Sequence, residues 1–228
     1  MRPGYDESPL NALPPVVWLL VLPIIALEVV FAAGASGVAG GPTAVGWRLE
    51  AMQATAFIPE VLNRMIATGQ YPPRQIARLV GYLFVHGSFT HALFVVVFIL
   101  AMGKIVAETF GGLRFLAVFF LSGIGAALIY ALLPWSEQPL IGGYPAVYGL
   151  IGAFTFTLWA RLGQMRANRL TAFRLIAMLL VFQLVFAVIF GGRSDWMAEI
   201  AGFALGFGLS FLLAPGGIAA LRDRLRHR

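Results

Sequence analysis

The chain has 228 residues, 60% of them hydrophobic and only 11% charged, with no cysteine and a formal net charge of +6; its mean hydropathy is +0.85. Soluble domains are about half apolar and roughly a quarter charged, so this balance excludes a water-solvated globule and points to a bilayer as solvent. Without cysteine there is no disulfide, thiol chemistry or cysteine-ligated metal, and the positive charge falls where lipid headgroups and topology need it rather than on a nucleic-acid face.

Six apolar segments, 16–35, 89–107, 113–132, 145–160, 172–190 and 197–214, approach the ~20 residues that a helix needs to cross the hydrocarbon layer. They predict an all-α membrane protein: a six-helix domain over 16–214, a cytoplasmic segment at 1–15 and a basic cytoplasmic tail at 215–228. The first segment ends in Ala33-Gly34-Ala35, which has the look of a signal-peptidase site. Its apolar run exceeds the ~7–15 residues of a signal peptide and contains Pro23 and Glu28, so it is read as a retained helix.

The stretch 36–88 is too long for a plain connector. It starts loosely at Gly37, Gly40, Gly41 and Pro42 and passes Trp47-Arg48. Over Met52 to Ile66 its apolar residues recur at three- and four-residue steps. That spacing predicts one interfacial helix on the outer leaflet, broken before Ile76 by Pro72-Pro73. Basic residues orient the bundle: Arg2, Lys104, Arg114, Arg161, Arg166, Arg169, Arg174 and the tail arginines 222, 224, 226 and 228 fall on one side if the spans alternate. The other side holds Arg48, Arg64, Arg74, Arg78 and Arg193, partly balanced by Glu50, Glu60 and Asp195. Both termini are therefore expected in the cytoplasm.

The second span is preceded by His86-Gly87-Ser88-Phe89-Thr90-His91. The fourth opens with Gly142-Gly143-Tyr144-Pro145 and carries Gly149, Gly152 and Ala153 on one face. The sixth has Glu199 three residues before Gly202, with Gly206 completing a GxxxG step. In lipid such small residues let helix backbones approach, so spans four and six are expected to be neighbours. A carboxylate inside a span usually faces the bundle interior; Glu199 alternatively sits near the outer end and reaches interfacial water, because Arg193, Asp195 and Trp196 mark the boundary. Glu28 also lies within a span, with nothing around it in sequence to suggest chemistry. His86, His91 and Glu199 could in principle ligate a metal. Five residues on one helix set two histidines about 140° apart, however, so they share a face only if His86 lies in the loop. Structural histidines, with no metal or cofactor, are the default.

From about Arg78 to Leu213 these features together resemble the rhomboid family of intramembrane serine proteases. The sequence RLVGYLFVH (78–86) resembles the end of that family's first loop, and His86 and His91 reproduce its HxxxxH. GGYPAVYGLIGA (142–153) resembles the GxSGxxxGLxG region of the fourth helix, and AEIAGFALG (198–206) the AHxxGxxxG of the sixth. The resemblance implies a six-helix fold with a long outer loop, a lateral opening that takes transmembrane segments, and residence in a plasma-type membrane. It also implies a serine–histidine dyad in which the histidine activates the hydroxyl. A histidine and an asparagine on the second helix help hold the oxyanion.

Carried over position by position, the serine is Tyr144, the base histidine is Glu199, the asparagine is Val95, and the oxyanion histidine persists as His91. The aromatic that packs on the base persists as Tyr148. The expectation is a rhomboid-like pseudoprotease that binds client transmembrane segments without cutting them. Tyr144, Tyr148, Glu199, His86 and His91 would line its cavity, and Gly149, Gly152, Gly202 and Gly206 would pack its helices. The alternatives are an active endopeptidase with unconventional residues and a small transporter suggested by Glu28 and Glu199. Tyr144 is expected either to hydrogen-bond Glu199 or to turn up toward the interface as a belt aromatic.

Overall fold

The computed structural model of the protein describes residues 13–136, 138–190 and 195–214. The expectations for Arg2, Arg193 and the tail arginines lie outside the described residues. Every long element is helical. Helix α1 (Pro15–Ala35) begins at a proline, whose missing N–H is no loss in a first turn. It tolerates Pro23 and buries Val17, Leu20, Val21, Ile24, Glu28 and Phe31 at three- and four-residue spacing. Its other face, with Leu19, Leu22 and Val29, is exposed, as a lipid-facing surface should be.

The segment 36–88, expected as an outer loop with one helix, folds into three short helices. They are α2 (Trp47–Thr55), α3 (Pro59–Thr68) and α4 (Pro73–Gly81), with a 3-10 turn at Pro42–Gly46 before them. The predicted helix over 52–66 is broken because Pro59 cannot donate and disfavours helical geometry in the residue before it. In the gap, Phe57 N–H donates to Leu140 C=O at 3.1 Å and Leu140 N–H returns the bond at 2.9 Å, tying the outer loop to the segment ahead of the fourth span. Pro72-Pro73 acts as a start as well as a stop: α3 ends on Gly69 in the left-handed region at φ 67°, and Pro73 opens α4. Arg78 fastens α4 back to α2, donating to the carbonyls of Ala56 at 2.7 Å and Gln53 at 2.9 Å.

The remaining spans follow as α5 (Phe89–Phe110), α6 (Gly112–Ala131), α7 (Tyr144–Gln164), α8 (Arg174–Phe190) and α9 (Trp196–Leu213). Among the described residues, five helices, α1, α5, α6, α7 and α9, are long and apolar enough to cross a bilayer. The fifth predicted segment, 172–190, is α8, whose 17 residues rise about 25 Å. Helix α7 is the axis of the bundle, buried along most of its first thirteen residues and packed on α5, α6 and α9.

Glycines decide how close these helices come. A Cβ on Gly202 would strike the Pro145 carbonyl, and one on Gly206 the Gly149 carbonyl. A Cβ on Gly152 would collide with Phe203 O and lie 2.7 Å from Phe207 N. Spans four and six therefore meet backbone to backbone. Gly149 departs from the expected face: its own Cβ position points at Ser122 Oγ of α6, so it serves two contacts at once.

Candidate active site

The site is built where α7 begins. Gly142 takes φ +94°, a conformation that favours glycine, and its N–H donates to Tyr82 C=O at 2.8 Å. A Cβ there would strike His91 Nε2. Gly143 is confined in the same way, because its Cβ position lies 2.9 Å from Leu83 O and 3.0 Å from Val95 Cγ1. Its N–H donates to His86 Nε2 at 3.2 Å. Two glycines thus thread between a histidine pair and Val95, and Tyr144 emerges as the first residue of the helix with Pro145 behind it.

His86 lies in the loop ahead of α5, so the angular argument against its meeting His91 does not apply. The two imidazoles meet edge to face at 5.0 Å between centroids, 85° apart. His91 is set by the α5 cap, its backbone N–H donating to Ser88 Oγ at 3.2 Å. Tyr144 stacks on His91, with centroids 4.8 Å apart and planes within 14°. His86 is fully buried. Burial, seconded by His91 and Arg48, pulls its pKa from 6.5 down to about 3. The ring is therefore neutral, and since Nε2 accepts from Gly143, its proton sits on Nδ1.

A small cleft, partly open to solvent, lies over this column. His91, Tyr144, Asp195 and Glu199 face into it, with Leu140, Ile141, Gly142 and Pro145 completing its wall. Glu199 sits in the first turn of α9, where the helix dipole favours a carboxylate, yet it is 8% exposed. The position is near the N-terminal end of α9 and interior-facing together, which combines the end-of-span and interior readings made of it. The phenol placed on its carboxylate is that of Tyr148, one turn below Tyr144. Tyr144 shares the cavity with Glu199 and stacks on His91 rather than turning away as a belt aromatic. Tyr148 and His86 stand behind the cavity, and Val95 is fully buried against Gly143.

One residue missed as part of the site is Arg48. It grips Glu28 with two bonds of 2.8 Å, donates to His86 C=O at 2.9 Å and lies 4.9 Å over the Phe31 ring. Glu28 is thus a structural anchor for the segment that carries His86. A buried carboxylate demands such a partner, and Trp47-Arg48 in a loop long enough to fold back was the available signal. Trp47 itself packs on Gly34 at the end of α1, its Cε3 2.9 Å from the Cβ position there.

The Rhomboid domain model matches residues 73–216. RHOMBOID-like protein 5 of Arabidopsis thaliana is 31% identical over 140 residues, covering 60% of this chain and 43% of that protein. Rhomboid-like protease 1 of Toxoplasma gondii is 29% identical over 146 residues, 62% of this chain and 50% of that one. The putative rhomboid protease YdcA of Bacillus subtilis is 30% identical over 142 residues, 59% of this chain and 66% of that one. The chain spans about half the length of the curated relatives it matches.

Proposed function

The chain belongs to the rhomboid family, and we propose that it is a member that binds transmembrane segments of client proteins without cleaving them. The observation that carries this reading is the content of the nucleophile position: Tyr144, stacked on His91 with its ring against the cavity. A phenol oxygen lies several ångströms farther from the backbone than a serine oxygen. Misplacement of ~1 Å already costs about a hundredfold in rate. Proton removal fares no better. The base position holds Glu199, bonded to Tyr148 in a site where the family uses an imidazole. The asparagine position is Val95, which offers no donor, and the loss of one oxyanion donor costs about 2.7–4 kcal/mol in an enzyme that needs it.

What remains is the architecture. The cavity opens at the outer end of α7, where a client segment would be held. The rival reading, an active endopeptidase with unconventional residues, draws on the names of the relatives from Toxoplasma gondii and Bacillus subtilis. The transporter reading loses its motive at Glu28, which is bound to Arg48.

A fluorophosphonate probe on the purified protein separates the two main readings. No labelling and no cleavage of a model transmembrane substrate, with photocrosslinking from position 144 capturing membrane segments in native membranes, is the expected result. Cleavage by the unmodified chain would overturn the proposal.

A further inference from the structure

We infer that the turn joining α7 to α8, at the end of the bundle opposite the cavity, binds the phosphodiester headgroup of an anionic phospholipid, with Arg169 as its anchor. Arg169 places its guanidinium 4.6 Å over the Trp159 ring. Its other neighbour is Gly163, where a Cβ would collide with the guanidinium. The group is therefore packed against both, and Trp159 is itself fixed by Phe207 and Phe211 of α9 at 6.1 and 5.8 Å. Stacking on a ring occupies a face of a guanidinium and leaves its in-plane N–H fork for a bidentate oxyanion. Among the described residues no carboxylate pairs with Arg161, Arg166, Arg169 or Arg174, and the sequence has no Asp or Glu anywhere from 138 to 194.

The backbone adds an independent sign. Helix α7 ends in a motif in which Arg166 N–H donates to Gly163 C=O at 3.2 Å and Ala167 N–H to Leu162 C=O at 2.9 Å. The residue in the left-handed position, φ 53°, is Arg166, where glycine is the unstrained choice. The arginine is held there against backbone preference, beside three others.

The source of the anion follows from the rest of the turn. Met165 and Leu170, each next to one of these arginines, are 67% and 74% exposed. Apolar side chains beside guanidiniums at the end of a span suit acyl chains below a phosphate better than a soluble anion. Four guanidiniums call for a lipid of net negative charge rather than a zwitterion.

The test uses the full chain in nanodiscs of equal phosphatidylglycerol and phosphatidylcholine, released for native mass spectrometry. The wild type should retain phosphatidylglycerol in preference. Arg169→Ala should cut that preference about tenfold, the scale of one charge-assisted pair. Arg169→Lys keeps the charge but loses the fork and should fall between. Arg64→Ala, at an exposed position of α3, should change nothing. If Arg169→Ala does not fold, Arg169→Lys and Arg166→Ala carry the comparison. Equal retention of both lipids by the wild type, or unchanged preference in these variants, overturns the site. Displacement of the retained lipid by millimolar glycerol 1-phosphate would show a soluble-anion site and overturn the lipid assignment.

Discussion

At the scale of single residues the chemistry turns on three substitutions within one preserved frame. Tyr144→Ser alone should give neither fluorophosphonate labelling nor cleavage, because a serine without an imidazole base stays a weak nucleophile. Serine at 144, histidine at 199 and asparagine at 95 together are the minimum set for recovering labelling. Labelling of the single variant would show that Glu199 serves as a base after all. His86 makes a second prediction. Its folded pKa of about 3 lies below the ordinary 6.5, so between those values the unfolded chain binds more protons than the folded one. Stability must then fall as pH drops through 6.5 toward 3, at up to about 1.4 kcal/mol per pH unit from this group. His86→Gln, which can still accept from Gly143, should flatten that slope between pH 6.5 and 5 in detergent-micelle melts. An unchanged slope would mean that other groups set it.

At the scale of elements, the same glycines that were readable as a pattern now carry different costs. Gly206→Ala sets a methyl against the Gly149 carbonyl, which cannot yield without moving α7 from α9. Gly149→Ala meets a side-chain hydroxyl, Ser122 Oγ. Both should destabilise, by about 1–3 kcal/mol for overpacking. Only Gly149→Ala should be rescued in part by Ser122→Gly, and rescue of both or neither in thermal melts would contradict this packing. The pattern of small residues was legible because lipid leaves close approach as the main source of helix adhesion. The predicted boundaries of α1, α5 and α6 were legible for a similar reason, since a bilayer imposes one length. The outer loop was not legible, because Pro59 and the Phe57–Leu140 pairing are a local stop and a long-range bond that periodicity does not encode. Arg48 escaped for the same reason: twenty residues separate it from Glu28, and only the fold brings them together. In the site, the column His86–His91–Tyr144 depends on two glycines whose compression is a tertiary fact.

At the scale of the whole molecule, the outer loop, the first span and the site act as one body. Glu28 holds Arg48, Arg48 holds the His86 carbonyl, His86 accepts from Gly143, and Gly143 precedes Tyr144. Cutting this chain at Arg48→Ala leaves a buried carboxylate without its partner, a loss on the order of 3–5 kcal/mol. Glu28→Gln with Arg48→Met should cost less, as measured by micelle melts, because no bare charge remains. The direction of the whole bundle in the membrane rests on the charges at its two ends. The cavity end carries Arg48, Arg64, Arg74 and Arg78 in folded helices with acidic company at Glu50 and Glu60, whereas the α7–α8 turn and the helix ends that flank it carry four arginines and no acid. Short basic turns resist translocation while folded loops of mixed charge tolerate it, so the turn is expected in the cytoplasm and the cavity outside. Six crossings, with α8 as the fifth, are expected on that orientation, and both termini are then expected in the cytoplasm. The chain has no cysteine, so one introduced by Met165→Cys gives a clean reading. In intact cells a membrane-impermeant maleimide should leave it unlabelled, and label it only after the membrane is opened. Glu60→Cys, exposed on α3, should react in both conditions. Labelling of position 165 from outside would invert the bundle and place the cavity on the cytoplasmic face.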